Sequence, residues 1–310
     1  MCQQHSQNNQ STEADFAVEP FLEAGLPSKP NGGNGSNNGS SDASPEPQTT
    51  PFATIKRKPT FLAQALEPDV FIQQDWNAYT AEQHDVWHTL FERRMKQLNV
   101  VASRTFLDGL VQAGIGAHRV PDFRVINRML RQKTGWRIVP VNGFLKGETF
   151  FACLAERRFP CTVTIRSRQD LDYTPAPDIF HDVFGHVPLC SDPVYANFLQ
   201  RFGEIGAAAP DAVTAKRLAT LFWFTVEFGI IREQGRLRVY GSGLISSQAD
   251  CAHALGAECD RRPLDLEATM DQPYDFDRIQ DVLFVTESYA QLYGTVERAA
   301  EMLLPELVEA

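Results

Sequence analysis

The sequence predicts a mostly helical α+β domain with a small sheet of short strands. Apolar residues recur at helical spacing through most of the chain after residue 53. Side chains able to cap helices stand at the heads of several of these stretches. Strand-like runs are few and short. Helices packed on a small sheet are the layer architecture that fits this mixture.

Taken in order, Thr80-Ala-Glu-Gln83 has the form of a capping box. Val86, Trp87, Leu90, Phe91 and Leu98 then share one helical face. Asp122 is placed to cap a helix carrying Val125, Ile126, Met129 and Leu130, with Gly135 available to end it. Tyr195, Phe198, Leu199, Phe202 and Ile205 form another apolar stripe. Asp211, after Pro210, starts a long helix expected to run through Glu227 to about Glu233. A last helix is expected from about Ser288 to Leu304. The strand candidates are Cys161–Arg166, Leu237–Tyr240 and Val282–Val285, and no internal repeat is visible.

Residues 1–53 read differently. Their centre, NGGNGSNNGSSDASPEP, offers too little apolar surface to offset the entropy of ordering. The expectation is a disordered low-complexity extension over 1–53 and one globular domain over 54–310. Within the extension, DFAVEPFLEAGL could form a short helix or docking segment.

The 310 residues carry a net charge of −10. That balance disfavours nucleic acid, whose binding depends on basic side chains displacing counterions. No run of about 20 apolar residues is free of charge, so no membrane span is expected. The N-terminus lacks the basic start and apolar stretch of a secretory signal. The six cysteines, Cys2, Cys153, Cys161, Cys190, Cys251 and Cys259, form no C-x-x-C pair. They read as reduced thiols of a cytoplasmic protein.

The chemistry concentrates in the segment from Tyr173 to Pro188. His181 and His186 are five residues apart. On a continuous α-helix that spacing leaves them roughly 140° apart. The expected solution is a helix that ends at Gly185 in the left-handed conformation, with Pro188 preventing resumption. His181 would then lie on the last turn and His186 would swing back from the exit. A third ligand is suggested by Glu227, the lone acid in the apolar stretch Leu218–Ile231. A buried carboxylate is normally paired with a cation or bound to metal. Two imidazoles and one carboxylate are the facial triad of non-haem Fe(II) oxygenases, which leaves other metal positions open.

Blander accounts exist for each residue alone. A single histidine is most often a satisfied core residue, and Glu227 could pair with an arginine. His84 and His88, at i,i+4, read as a solvated helix face, and His5, His118 and His253 lack a comparable setting. The same triad could also serve a zinc hydrolase with a metal-bound water as nucleophile. A metal-free binding protein with structural histidines is the third reading.

Three longer motifs, YTPAPDIFHDVFGHVPLCSDP, WFTVEFG and VYGSGLISS, resemble those of the pterin-dependent aromatic amino acid hydroxylases, most closely the short bacterial members that act on phenylalanine. The resemblance covers about Asp75 to Leu304 and makes 54–310 a catalytic domain. It implies Fe(II), with O₂ and a tetrahydropterin as cosubstrates. It implies His181, His186 and Glu227 as iron ligands and Arg166 as the partner of the substrate carboxylate, a role suited to a guanidinium fork. Thr174, Asp178 and Ser246 match positions near the amino-acid backbone. Trp223 and Phe228 match apolar walls around the aromatic ring. Phe150 matches the ring that stacks on the pterin, with Gly143 and Leu145 in the flanking loop and Asp182 beside the first ligand. Asp182 and Asp250 stand where longer members carry Glu. The implied reaction is conversion of phenylalanine to tyrosine, with tryptophan or tyrosine as alternative substrates. Trp223, where tryptophan hydroxylases tend to carry Phe, favours phenylalanine. A regulatory domain and a tetramerising helix are not expected, so the chain is read as a monomer acting on small molecules.

Overall fold

The computed structural model describes residues 70–308, other than 173, 175 and 277. The expected boundary at residue 53 and the segment from Asp15 to Leu26 lie outside those residues. Helices dominate, as expected, and nearly all the buried apolar side chains among the described residues join one core.

Helix α1 (Ala81–Val101) begins with the anticipated capping box, in which Thr80 and Gln83 satisfy each other's backbone N–H. It buries Val86, Trp87, Leu90 and Leu98, while Phe91 sets its ring edge against Phe184. Helix α2 (Arg104–Ala113), capped by Ser103, was not foreseen. Helix α3 (Phe123–Lys133) is capped by Asp122, which accepts from the Arg124 N–H. Its buried face is Phe123, Ile126 and Leu130, and Val125 points outward at 46% exposure. Gly135 takes a left-handed φ of 76° just beyond the helix end.

Strands β1 (Arg137–Val141) and β2 (Arg158–Thr162) run parallel, joined by helix α4 (Gly147–Ala155). The strand expected over Cys161–Arg166 thus starts and ends earlier. Its register with β1 runs from Arg158 to Thr162, and beyond that the chain departs as a loop toward the site.

Phe180–His186 forms a π-helical segment, followed by a short 3₁₀ turn over Val187–Ser191. Helix α5 (Pro193–Ala207), capped by Asp192, buries Tyr195, Phe198, Leu199, Phe202 and Ile205, as its stripe predicted. Helix α6 (Ala212–Phe222) is capped by Asp211, which accepts from the Thr214 N–H.

The long helix expected to reach Glu233 does not. It widens into a π turn over Trp223–Glu227 and stops, and β3 (Ile230–Glu233) follows. The Gly229 carbonyl accepts from the Tyr240 and Gly241 N–H groups, which folds the chain back on itself. Gln234 and Gly235, with φ of 50° and 74°, make the tight turn into β4 (Arg236–Val239). Two successive positive-φ residues suit the twist of a two-residue hairpin. Ile230 and Ile231 are β-branched, and strand pairing won over the helical period.

Helices α7 (Ser242–Ser246) and α8 (Gln248–Leu255) precede β5 (Asp260–Pro263), α9 (Leu266–Met270) and β6 (Val282–Thr286). The larger sheet has the order β4-β3-β6-β5, antiparallel only between β3 and β4. Helix α10 (Tyr289–Leu303), capped by Ser288, and the short α11 (Pro305–Val308) complete the chain. Among the described residues no helix is long and apolar enough to cross a membrane.

Candidate metal centre between two cavities

His181 and His186 meet by a route other than the one expected. The helix does not end between them, and Gly185 is not left-handed. Both lie in one π-helical segment, whose i→i+5 hydrogen bonds close a wider turn than an α-helix. Residues five apart therefore fall on the same side. The imidazole centroids are 5.0 Å apart and the two Nε2 atoms 3.3 Å apart. Gly185 serves another purpose: a Cβ there would come within 3.0 Å of the Ser242 Cβ. Its missing side chain lets α7 press against the π segment.

Glu227 arrives at the end of the second π turn and completes the cluster. Its Oε1 is 3.3 Å from His186 Nε2 and its Oε2 is 3.6 Å from His181 Nε2. The three potential ligand atoms lie within 4.8 Å of one another, a set that could hold a metal ion. The backbone behind Glu227 is tightly packed, since a Cβ on Gly241 would come within 2.4 Å of the Glu227 carbonyl oxygen. This close approach holds Glu227 against α7.

Hydrogen bonds orient the donors. Ser246 donates its hydroxyl proton to the Ser242 carbonyl at 2.8 Å, so its oxygen accepts the Nδ1–H of His181 at 2.9 Å. That fixes Nδ1 as the protonated nitrogen and turns Nε2 toward the cluster. Ser242 donates its own hydroxyl to Glu227 Oε2. The His186 ring lies against Phe159, 4.7 Å between centroids.

Electrostatics suit the same reading. Burial pushes the His186 imidazole down to about 4, against the pull of Glu227, so it is neutral near pH 7. Burial would raise the Glu227 carboxyl, but the facing His186 and His181 and the Ser242 hydroxyl hold it down to about 2. For His181, burial is outweighed by Glu227, and the imidazole is raised above its ordinary value. A divalent cation binding at Nε2 would displace any proton carried there. The donor set, two imidazole nitrogens and one ionised carboxylate in a buried pocket, fits a mononuclear metal with open positions.

Two cavities meet at this cluster. The larger, about 700 Å³, is lined by Arg166, Thr174, His181, Trp223, Phe228 and Ser246. The smaller, about 160 Å³, is lined by Gly143, Leu145, Phe150, Asp182 and His186. Glu227 lines both.

In the larger cavity Arg166 is gripped by Asp178, with Nε and Nη2 each 2.9 Å from a carboxylate oxygen. Nη1 has no hydrogen-bond partner among the described residues. Asp178 does not line the cavity. It stands behind, also accepting the His181 backbone N–H at 3.1 Å. Thr174 turns its hydroxyl to the Ala176 carbonyl. The Trp223 ring is stacked on Tyr274, 4.8 Å away, and tilted against Phe228 at 4.7 Å. In the smaller cavity Phe150 is held edge-on by Phe159 and Phe222. Gly143 has a φ of 88°, which a side chain would strain. Asp182 accepts from the Thr162 N–H and hydroxyl, and burial pushes its carboxyl up to about 6.

Several residues were missed. Ser242 was inside a quoted motif, and its spacing of four from Ser246 was a usable signal. Thr162, Tyr274, Phe276 and Ile279 carried none, because they reach the site only through the chain's tertiary course.

Known proteins resemble this chain in sequence and in fold. Residues 59–306 match the model of the biopterin-dependent aromatic amino acid hydroxylases. A phenylalanine-4-hydroxylase of Caulobacter vibrioides is 43% identical over 226 residues, 73% of this chain and 77% of that protein. A crystal structure of Chromobacterium violaceum phenylalanine hydroxylase with bound oxidised Fe(III) superposes with a TM-score of 0.74 at 37% identity, covering 82% of this chain and 94% of that one. The same enzyme with iron and phenylalanine bound gives 0.72 at 36% identity, covering 81% and 94%. The chain belongs to the biopterin-dependent aromatic amino acid hydroxylase family.

Proposed function

We propose that the chain hydroxylates L-phenylalanine to L-tyrosine, using O₂ and a tetrahydropterin, at an Fe(II) held by His181, His186 and Glu227. The observation that carries this reading is the position of the triad, where Glu227 lines two separate cavities. One metal can then face two different organic molecules. Iron bound there supplies the redox chemistry that activates O₂. One oxygen atom enters the ring at the para carbon and the other leaves on the pterin, which provides two electrons.

The chain's own residues bind and orient. In the larger cavity Arg166, held rigid by Asp178, offers Nη1 to the substrate carboxylate. Trp223 and Phe228 wall the ring, and Thr174 and Ser246 stand beside the amino-acid backbone. Ser246 also keeps the His181 tautomer. In the smaller cavity Phe150 provides an aromatic face for the pterin, with Gly143 and Leu145 along its edge. Asp182 is the polar group available to the pterin's ring nitrogens. Both cavities are mainly apolar, which keeps water from the reacting atoms.

The test is tyrosine formation by metal-free protein resupplied with Fe(II), O₂ and a tetrahydropterin. Tyrosine is expected only in the full mixture. Turnover of an ester or amide with Zn²⁺ and without pterin would instead favour the hydrolase. Competition among phenylalanine, tryptophan and tyrosine ranks the substrates, with phenylalanine first.

The remaining expectations belong to the same proposal: a cytoplasmic monomer whose residues 1–53 are dispensable for turnover. The family match beginning at residue 59 supports that division. Sedimentation of the full chain and assay of the truncated one check both.

A further inference from the structure

We infer that Ser242 is a positioning residue for Glu227: its hydroxyl engages Oε2, so that the carboxylate presents Oε1 to the metal. This rests on the proposed metal reading and concerns a residue outside the triad. Ser242 is 1% exposed and donates its hydroxyl to Glu227 Oε2. Its other contacts explain why the hydroxyl has no competing use. It opens α7, and its backbone carbonyl is already taken by Ser246, one turn later. Its Cβ packs on the bare face of Gly185, so the side chain is fixed on the ligand-bearing π segment.

One short helix thereby serves two ligands. Ser246 sets which nitrogen of His181 is free, and Ser242 sets which oxygen of Glu227 is free. An oxygen that accepts a strong hydrogen bond has less electron density to give a cation. Oε1, facing His186 Nε2 at 3.3 Å, is the less encumbered of the two. Partners behind metal ligands commonly change metal affinity by about 10–100-fold when removed.

The experiment titrates Co(II) into metal-free full-length wild type and Ser242→Ala, recording visible absorption, and compares circular dichroism and melting of the metal-free proteins. Wild type is expected to bind Co(II) stoichiometrically. Ser242→Ala is expected to bind roughly tenfold more weakly, because the unanchored carboxylate must be ordered on binding. Its visible bands should be weaker as the second oxygen joins the metal. Identical bands and affinity, with or without a drop in melting temperature, would show a structural serine and overturn the inference. Failure of wild type itself to bind Co(II) would overturn the metal reading and this inference with it. Should Ser242→Ala not fold, Ser242→Gly removes the same hydroxyl, adds no new metal donor and carries the same comparison.

Discussion

Arg166 and Asp178 form a two-pronged ion pair, 2.9 Å at each contact, with side chains only 9% and 5% exposed. Burial raises the Asp178 carboxyl, and the Arg166 guanidinium beside it more than reverses that, which holds the carboxyl below its ordinary value. The pair immobilises the arginine before any ligand arrives. A preorganised guanidinium loses less freedom when it binds a carboxylate.

Arg166→Lys keeps the charge and loses the fork. It is expected to raise the KM for phenylalanine by about tenfold or more, the scale for weakening a charged contact, and to leave the pterin KM nearly unchanged. Steady-state kinetics varying each substrate measures the split. An unchanged phenylalanine KM would place carboxylate recognition elsewhere. Arg166→Ala should in addition cost roughly 3–5 kcal/mol of stability, because Asp178 is left buried and unpaired.

Glu227→Ala removes the one carboxylate from the triad. Hydroxylation is expected to be lost, and Fe(II) affinity to fall by more than the ~10–100-fold typical of changes behind the ligands. Metal content after dialysis against a graded chelator measures it. Iron-dependent turnover surviving in this variant would remove Glu227 from the ligand set.

Much of this site could be read in the sequence, and the misreadings share a cause. His181, His186 and Glu227 stood out because an acid in an apolar stretch and a close histidine pair demand partners. What could not be read was the π geometry. Hydrophobic periodicity distinguishes 3.6 from 2 residues per turn, but one wide turn leaves no period to detect. That is why the sequence predicts a helix terminator at Gly185, whose role in the structure is close approach to Ser242. The same blindness carried the expected helix past Glu227 into β3, where Ile230 pairs with Val239 across the hairpin and with Val285, which lies far along the chain. Helix starts were legible at Thr80, Asp122, Asp211 and Ser288 because caps act within three residues. The smaller cavity's walls come from β1, α4 and β2 regions that no local pattern connects.

Gly185→Ala tests the close approach directly. The added methyl meets Ser242 and must part α7 from the π segment. A loss of about 1–3 kcal/mol in stability is expected from overpacking. Metal affinity should fall with it, because α7 orients two ligands. Unfolding in denaturant with and without metal measures both. A variant as stable as wild type, with unchanged metal affinity, would show that α7 can retreat at no cost.

The five described cysteines are free and buried. Burial pushes the Cys153 thiol up to about 12 and raises the other four as well. Thiolate is the reactive form, and a raised pKa keeps it scarce until the pH rises through the shifted value. Folded protein at pH 8 should therefore leave these five unmodified by an aromatic disulfide reagent over minutes. All should react after unfolding. Fast reaction of any of the five in the folded protein, located by mass spectrometry, would contradict its burial.

Phe150 provides the sharpest check on which molecule enters which cavity. Its ring lines the smaller cavity and is braced edge-on by Phe159 and Phe222. Phe150→Leu preserves apolar volume in the core and removes the aromatic face. Stacking of that kind contributes roughly 0.5–1.5 kcal/mol. The pterin KM is therefore expected to rise about 2–10-fold, with a smaller change for phenylalanine. Loss of coupling should accompany it, seen as pterin oxidised in excess of tyrosine formed, because a loosely held pterin reacts without delivering oxygen to the ring. If the phenylalanine KM rose and the pterin KM did not, the two cavities would have to exchange occupants. Arg166 would then face the pterin, and the carboxylate-binding assignment would fall together with the stacking one.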